Sequence, residues 1–461
     1  MENMPNLNGK HILVMGYALT GKSVIEFLLQ KGAQVTLTAL EDLSDDASVQ
    51  AFQERGMGLV DKGHPLTLLD QPWDMIVKNP GIPYHVPLIQ AALAADIPIV
   101  TDVELASWFN PGRFIGITGS NGKTTTTQLI YNIFKLVKDF ETYLAGNIGV
   151  PILESVAKAK ETDTLVAELS SFQLEGTRDL HPHIAVITNI YQAHLDYHGD
   201  IDHYRQAKLK LIQNMTAQDN LVYNYDQEGL HDWIQVGPYQ QIPVGMVKVD
   251  DYLRQHGMYV EQGLIYFKGQ ALLPVEEIPI PGQHNVMNVM MAMAAALIGQ
   301  VPLQFILDGV KAYAGVPHRI QPIAHSQGRR FFNDSKATNT VATITALKSF
   351  HQPLVYIGGG LDRGNGFDDL IPYCQHIQDA YLYGETKEKM AQSLEKVGHI
   401  NIHIVETLQE ATLQAYHQAQ EGQVVLFSPA CASWDQFDNF ETRGQAFTDL
   451  VYELIASQPY H

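Results

Sequence analysis

The chain has 461 residues, enough for about three domains at the ~150 residues typical of one. With 45% hydrophobic and 17% charged residues it has a folding composition, unlike disordered, collagenous or disulfide-rich chains. Lys and Arg number 30 against 50 Asp and Glu, a net charge of -20 that repels nucleic-acid backbones and anionic membranes, and two cysteines, Cys374 and Cys431, cannot build a disulfide framework.

The opening residues lack the cationic start and apolar core of a signal peptide. The longest apolar stretch, Val289 to Gly299, is shorter than the ~20 residues that span a bilayer. The expectation is a cytoplasmic protein without nucleic-acid or membrane partners. Ile12 to Met15 is an apolar strand that meets Gly16, and Val24, Phe27 and Leu28 then share one helical face. Gly32 stops that helix and Gln34 to Thr38 alternates like a second strand, so the chain opens as a βαβ unit. Trp73 to Lys78 reads as another strand, ending at the turn-rich Asn79-Pro80-Gly81-Ile82-Pro83, where an open α/β sheet carries ligands. Ala91 to Thr101 reads as a helix end and a short strand, and Pro111-Gly112 as a boundary.

A second unit begins with the strand Phe114 to Thr118, a glycine-rich loop and a helix over Thr124 to Val137. Strands follow at Thr164 to Leu169 and Ile184 to Thr188, then a meander over Tyr223 to Leu273 and a buried helix over Met287 to Ile298. Gly315-Val316-Pro317 marks the next boundary, and the last third carries strands at Arg330 to Phe332, Leu354 to Ile357, Ala380 to Tyr383 and Val424 to Phe427. The expected class is α/β in three domains, 1–110, 111–314 and 315–461, the outer two Rossmann-like and the central one of the P-loop ATPase type.

Gly119-Ser120-Asn121-Gly122-Lys123-Thr124-Thr125, between a strand and a helix, has the makings of a phosphate cradle. Backbone N–H groups and the helix dipole face the phosphates, Lys123 reaches the outer ones, and the Thr124 hydroxyl can ligate Mg²⁺. The GxxxxGK[ST] spacing is not met, because Ile117 stands at the first glycine position, and a glycine-rich turn without nucleotide remains open. The Gly16 to Gly21 turn has Ala18 at the second glycine of a dinucleotide fingerprint. Its second strand ends Leu37-Thr38-Ala39 without a carboxylate, so a diphosphate or an ordinary turn is expected there rather than NAD.

Glu168, at a strand's carboxyl end, is either a Mg²⁺ ligand or a strand-edge acid. His194, Asp196 and His198 share a loop whose spacing fits no structural zinc pattern, leaving His194 a loop histidine or a ligand. Pro317-His318-Arg319, Asn333 to Asn339 and Ser428 to Ser433 pack polar groups after strands, as anion or amino-acid recognition does. Cys431, with no histidine partner in sequence, reads as a buried structural thiol.

Taken together, TGSNGKTT at 118–125, AGNIG at 145–149, ELSSFQLE at 168–175, HLD at 194–196, YRQAKLKL at 204–211, GQHN at 282–285, PHR at 317–319, NDSKATN at 333–339 and SPACASWDQF at 428–437 resemble the Mur ligase family along nearly the full chain. ELSSFQLE and SPACAS resemble its D-glutamate-adding branch. The resemblance implies an ATP-dependent amide ligase that adds D-glutamate to UDP-N-acetylmuramoyl-L-alanine through an acyl phosphate, acting as a monomer in cytoplasmic peptidoglycan precursor synthesis.

It further implies that Gly119 to Thr125, Asn285, Arg319 and Asp334 bind ATP. Two Mg²⁺ ions would be held by Thr124, Glu168, His194 and a carbamylated Lys208. Lys123, Lys208, His194 and Asn147 would be catalytic, Leu19, Thr20 and Gly81 would hold the UDP end, and Lys336, Thr338, Ser433 and Phe440 would surround D-glutamate. Ala39 departs from the acid the family often has there. A sister amide ligase, such as another Mur ligase or folylpolyglutamate synthase, and a nucleotide-dependent switch are the alternatives.

Overall fold

The computed structural model describes residues 5–234 and 237–457; the side chain of Asp196 lies outside that description. Three sheets organise these residues. The first contains β1 (His11–Met15), β2 (Gln34–Thr38), β3 (Gly58–Val60), β4 (Met75–Lys78) and β5 (Ile99–Val100), all parallel, in the order β3-β2-β1-β4-β5. The apolar run of β1 is buried on both faces, as parallel strands under helices must be, and the Leu19–Gln30 helix buries Val24, Phe27 and Leu28 against it. The strand order reverses between β1 and β4, so Gly16 and Asn79, which follow them, flank the crevice of a doubly wound sheet. Trp73 falls outside the expected strand because its indole turns inward to donate to the Leu68 carbonyl at 2.7 Å.

The second sheet has nine strands: β6 (Arg113–Thr118), β7 (Thr142–Gly146), β8 (Thr164–Glu168), β9 (Ile184–Ile187), β10 (Asn220–Asn224), β11 (Gln240–Gly245), β12 (Met258–Glu261), β13 (Leu264–Phe267) and β14 (Gln270–Pro274). Their order is β14-β13-β12-β11-β10-β9-β6-β8-β7, and every pairing from β7 to β12 is parallel. β6 lies between β8 and β9, so the loop at Gly119, Glu168 and Thr188 emerge side by side. The expected meander over Tyr223 to Leu273 is confined to its last third. β10 and β11 are parallel strands buried along most of their length, joined through the Leu230–Trp233 helix, and only β12, β13 and β14 run antiparallel. Their tyrosines and glycines imitated the alternation of a meander.

The third sheet, β15 (Gln321–Ser326), β16 (Arg329–Asn333), β17 (Leu354–Gly359), β18 (Ile377–Tyr383), β19 (Asn401–Ile404) and β20 (Val424–Phe427), has the order β15-β16-β20-β17-β18-β19 and is parallel except for β15. Asn333 and Phe427 are register partners on adjacent strands, which sets NDSKATN and SPACAS next to each other.

One continuous apolar core joins the first two sheets, running from Ile12, Val14 and Phe27 through Phe109 and Phe114 to Leu165 and Tyr223. Each such fully buried aliphatic or aromatic side chain contributes roughly 1.5–3 kcal/mol. By contact density the chain forms two compact units, one of residues up to Val275 with Met287–Gly309, the other of Glu276–Val286 with residues from Val310 onward. Among the described residues no helix is long and apolar enough to cross a membrane.

Candidate active site

β6 passes through Gly119–Gly122 directly into the Lys123–Phe134 helix. Gly119 has φ +151°, and a Cβ there would sit 1.9 Å from the Thr188 hydroxyl oxygen. Gly122, at φ +81°, caps the helix without a side-chain acceptor, and a helix N-terminus of this kind favours an anion. Neighbouring strand ends pin the loop. Ser120 N–H donates to the Asn189 carbonyl and Asn121 N–H to Asn189 Oδ1, both at 2.8 Å, while the Thr188 hydroxyl donates to the Asn121 carbonyl at 2.6 Å. Lys123 Nζ donates to the Gly119 and Ser120 carbonyls at 2.9 and 3.0 Å, and Thr124 and Thr125 open the helix.

Lys208, at the end of the Ile201–Leu209 helix, is buried and donates to the same Gly119 carbonyl at 2.8 Å. Burial, and after it the Lys123 charge, hold its ammonium well below the usual lysine range, against the opposing pull of Glu168. Glu168 ends β8, 2% exposed; its Oε1 accepts from Asn147 Nδ2 at 2.9 Å, and its buried Oε2 has no hydrogen-bond partner among the described residues. A carboxylate oxygen left bare beside a phosphate-type loop fits a hard divalent cation. His194 is exposed at φ +54°, at the start of the Leu195–His198 helix, with its ring against Phe172 at 4.9 Å.

Asn147 also faces a cleft of about 330 Å³ whose other wall is Leu19, Thr20 and Asn79 to Gly81, so residues expected at the UDP end and at the reacting end share one cavity. Ala39 is fully buried and offers no group to a ligand. Beneath this cleft lies a residue that sequence reasoning passed over as the last of a strand. Lys78 is buried, and its Nζ donates to the Pro80 and Ile82 carbonyls at 3.2 and 2.9 Å and to Tyr197 Oη at 3.1 Å, with the Tyr84 ring 4.7 Å away. Burial pulls it down to about 8. It shapes the Asn79 to Pro83 loop and ties it to the helix behind His194. Its signal was a lone lysine ending an otherwise apolar parallel strand.

In the second unit Asn285 donates to the Pro281 carbonyl at 2.7 Å. Asp334 is buried at the end of β16, accepting from Ile320 N–H at 3.1 Å and the Ser428 hydroxyl at 2.7 Å, and burial pushes it up to about 7 against the Arg319 charge. Lys336 lies over the Phe440 ring at 5.6 Å, and Ser433 is buried. Of the four residues expected around D-glutamate, Thr338 alone lines the cavity of about 260 Å³ that also takes in Asp362, Arg363 and Cys431. Arg363, which stacks on Trp434 at 4.6 Å, carries no motif of its own in sequence. The Cys431 thiol is pushed up to about 11 by burial and contacts the Thr386 hydroxyl at 3.3 Å, a structural rather than nucleophilic setting.

Three family models match in succession: Mur ligase MurD-like, N-terminal domain, over 10–101; Mur ligase middle domain over 117–296; and Mur ligase, glutamate ligase domain, over 318–431. The chain is 42% identical over 98% of its length to the UDP-N-acetylmuramoylalanine--D-glutamate ligase of Latilactobacillus sakei, all of which is covered. It is 41% identical over 99% of both chains to the enzyme of that name from Listeria innocua. Among solved structures, UDP-N-acetylmuramate-alanine ligase of Thermotoga maritima superposes with a TM-score of 0.56 at 18% identity, covering 96% of this chain and all of that one. A MurF ligase of the same organism in complex with ADP gives 0.54 at 15% identity, covering 98% of each. The two structural likenesses speak to the three-domain fold, the sequence likeness to the lineage: the chain belongs to the Mur ligase family.

Proposed function

We propose that this chain is an ATP-dependent, ADP-forming amide ligase that joins D-glutamate to UDP-N-acetylmuramoyl-L-alanine in peptidoglycan precursor synthesis, as a cytoplasmic monomer of three domains, 1–110, 111–314 and 315–461. The observation that carries the reading is Asn147. Its side chain faces the cleft of Leu19, Thr20 and Gly81 and also donates to Glu168 beside the phosphate loop. A UDP-linked substrate held at one end of that cleft presents its far carboxylate next to ATP.

In this mechanism the first-turn N–H groups and Lys123 bind the ATP phosphates and offset the charge on the transferred phosphoryl group. The terminal L-alanine carboxylate attacks the γ-phosphorus and ADP leaves, giving an acyl phosphate. The D-glutamate amine adds to its carbonyl, and the tetrahedral intermediate collapses to the amide and phosphate. Asn147 and His194 orient the reacting groups, Asn285, Arg319 and Asp334 engage the nucleotide, and Lys336, Thr338, Ser433 and Phe440 receive D-glutamate. Thr124, Glu168, His194 and Lys208 would hold two Mg²⁺ ions, which supply charge neutralisation at the phosphoryl oxygens. Lys208 contributes as a carbamate: its neutral amine adds to CO₂ and releases one proton, leaving an anion where a protonated lysine would be a cation. The depressed lysine supports this, because only the neutral amine is a nucleophile.

The test is ADP release with UDP-N-acetylmuramoyl-L-alanine while D-glutamate, L-glutamate and L-lysine are offered in turn. Stimulation by D-glutamate alone is expected; stimulation by another amino acid assigns a sister ligase, and ADP release indifferent to all three assigns a switch. Lys78→Met is expected to raise KM for the UDP precursor about tenfold with kcat little changed, since it removes charged hydrogen bonds that shape the loop but touch no reacting atom. An unchanged KM would remove Lys78 from substrate binding.

A further inference from the structure

Behind the His194 loop, three side chains converge that no motif links: Glu175 ends the Ser171–Glu175 helix, His198 ends the Leu195–His198 helix, and His203 lies in the Ile201–Leu209 helix. Glu175 Oε1 is 3.0 Å from His203 Nε2 and Oε2 is 3.5 Å from His198 Nδ1, and the three ligand atoms lie within 4.8 Å of one another. Ligands about 2.1 Å from a tetrahedral ion are separated by roughly 3.4 Å, so small side-chain shifts suffice to close this set around a cation.

The hydrogen bonding fixes what the site accepts. His203 Nδ1 lies 2.9 Å from the His198 carbonyl, which can only accept, so the ring proton of neutral His203 is on Nδ1. Its Nε2 then meets a carboxylate oxygen 3.0 Å away, a contact that either a proton on that nitrogen or a cation shared by the two groups satisfies. The Glu175 side chain is 9% exposed, and its Oε2 has no hydrogen-bond partner among the described residues. On the other side of His198, Nε2 contacts the Ser171 hydroxyl at 3.0 Å, the kind of outer contact that orients a ligating imidazole. His203 is half exposed, which gives an entry path and room for water as a fourth ligand.

We propose that Glu175, His198 and His203 form a site for one borderline divalent cation of the zinc class, distinct from the magnesium set at Glu168. Two imidazoles and one carboxylate select such an ion over Mg²⁺, which prefers oxygen ligands. Lys78 and Lys210 also face Glu175, Lys210 Nζ donating to its main-chain carbonyl, and their charge limits the affinity. The bound ion clamps three helical segments whose far ends carry Phe172, His194 and Lys208, so it acts on the active site by positioning. The site stands on its own ligand geometry and is independent of the substrate assignment.

The experiment uses the full chain, stripped with a chelator and titrated with Zn²⁺ calorimetrically in excess Mg²⁺, with Co²⁺ as a spectroscopic stand-in. One equivalent of Zn²⁺ that Mg²⁺ does not displace is expected, together with a rise in Tm. His203→Gln and Glu175→Gln should weaken zinc binding at least about tenfold, whereas Glu168→Gln should not. His203→Cys should keep the metal and add a thiolate-to-cobalt charge-transfer band, which a purely structural histidine would not produce. Zinc binding unchanged in His203→Gln overturns the site. So does the absence of zinc uptake by the folded wild-type chain, which would assign the contact to a protonated His203 paired with Glu175.

Discussion

Lys208→Ala is expected to lower kcat by on the order of 10³-fold while the folded state persists, and added formate or acetate should restore part of the activity. The lysine and Lys123 both donate to the Gly119 carbonyl. At an effective dielectric of ~20, two unit charges of like sign 4 Å apart repel by about 4 kcal/mol, so two ammonium groups are poorly tolerated there, whereas the proposed carbamate would be attracted to Lys123. Lys208→Met, which keeps most of the buried volume, separates loss of packing from loss of the amine and of the proposed carbamate; thermal unfolding reads the first and kcat the second. Removal of dissolved CO₂ should silence the wild type reversibly. A fully active alanine variant would take the carbamate out of the mechanism.

Gly119→Ala should be nearly as damaging for a different reason. At φ +151° the new Cβ would meet the Thr188 hydroxyl oxygen at 1.9 Å and Asn189 backbone atoms at 3.1 Å, groups that cannot retreat without releasing their bonds to the loop. A cost of about 3 kcal/mol in stability is expected from strain plus lost hydrogen bonds, with ATP binding reduced beyond detection. Denaturant midpoint and equilibrium ATP binding measure the two effects separately. Wild-type ATP affinity in this variant would mean that the loop is not the phosphate cradle.

The sequence was most readable where one physical requirement dominates. Buried parallel strands need continuous apolar runs, so β1, β6, β8, β17 and β20 stood out. The phosphate loop was visible because few residues other than glycine tolerate its geometry. The two edge strands of the third sheet were not visible: β15 carries a proline and polar residues, β19 has four residues of which none is buried, and neither needs an apolar run. The candidate site divides the same way. Glu168 was legible as a carboxylate at a strand end, whereas Lys208 looks like any lysine on a helix until burial and the Gly119 carbonyl give it meaning. Lys78, Arg363 and the Glu175–His198–His203 group depend on contacts between residues distant in the chain or across a turn, which periodicity does not encode.

The core that runs without interruption from the first sheet into the second has a consequence for selectivity. Leu19, Thr20 and Gly81 project from one sheet and Asn147 from the other, yet both walls of the cleft are seated in the same packed interior. The interval between them rests on close-packed side chains, which resist compression. On the proposed reading that interval would work as a ruler: a precursor one residue too short would leave its carboxylate away from the phosphate loop, and one too long would carry it past. Discrimination among successive peptide intermediates would then follow from length as well as from recognition of each amino acid.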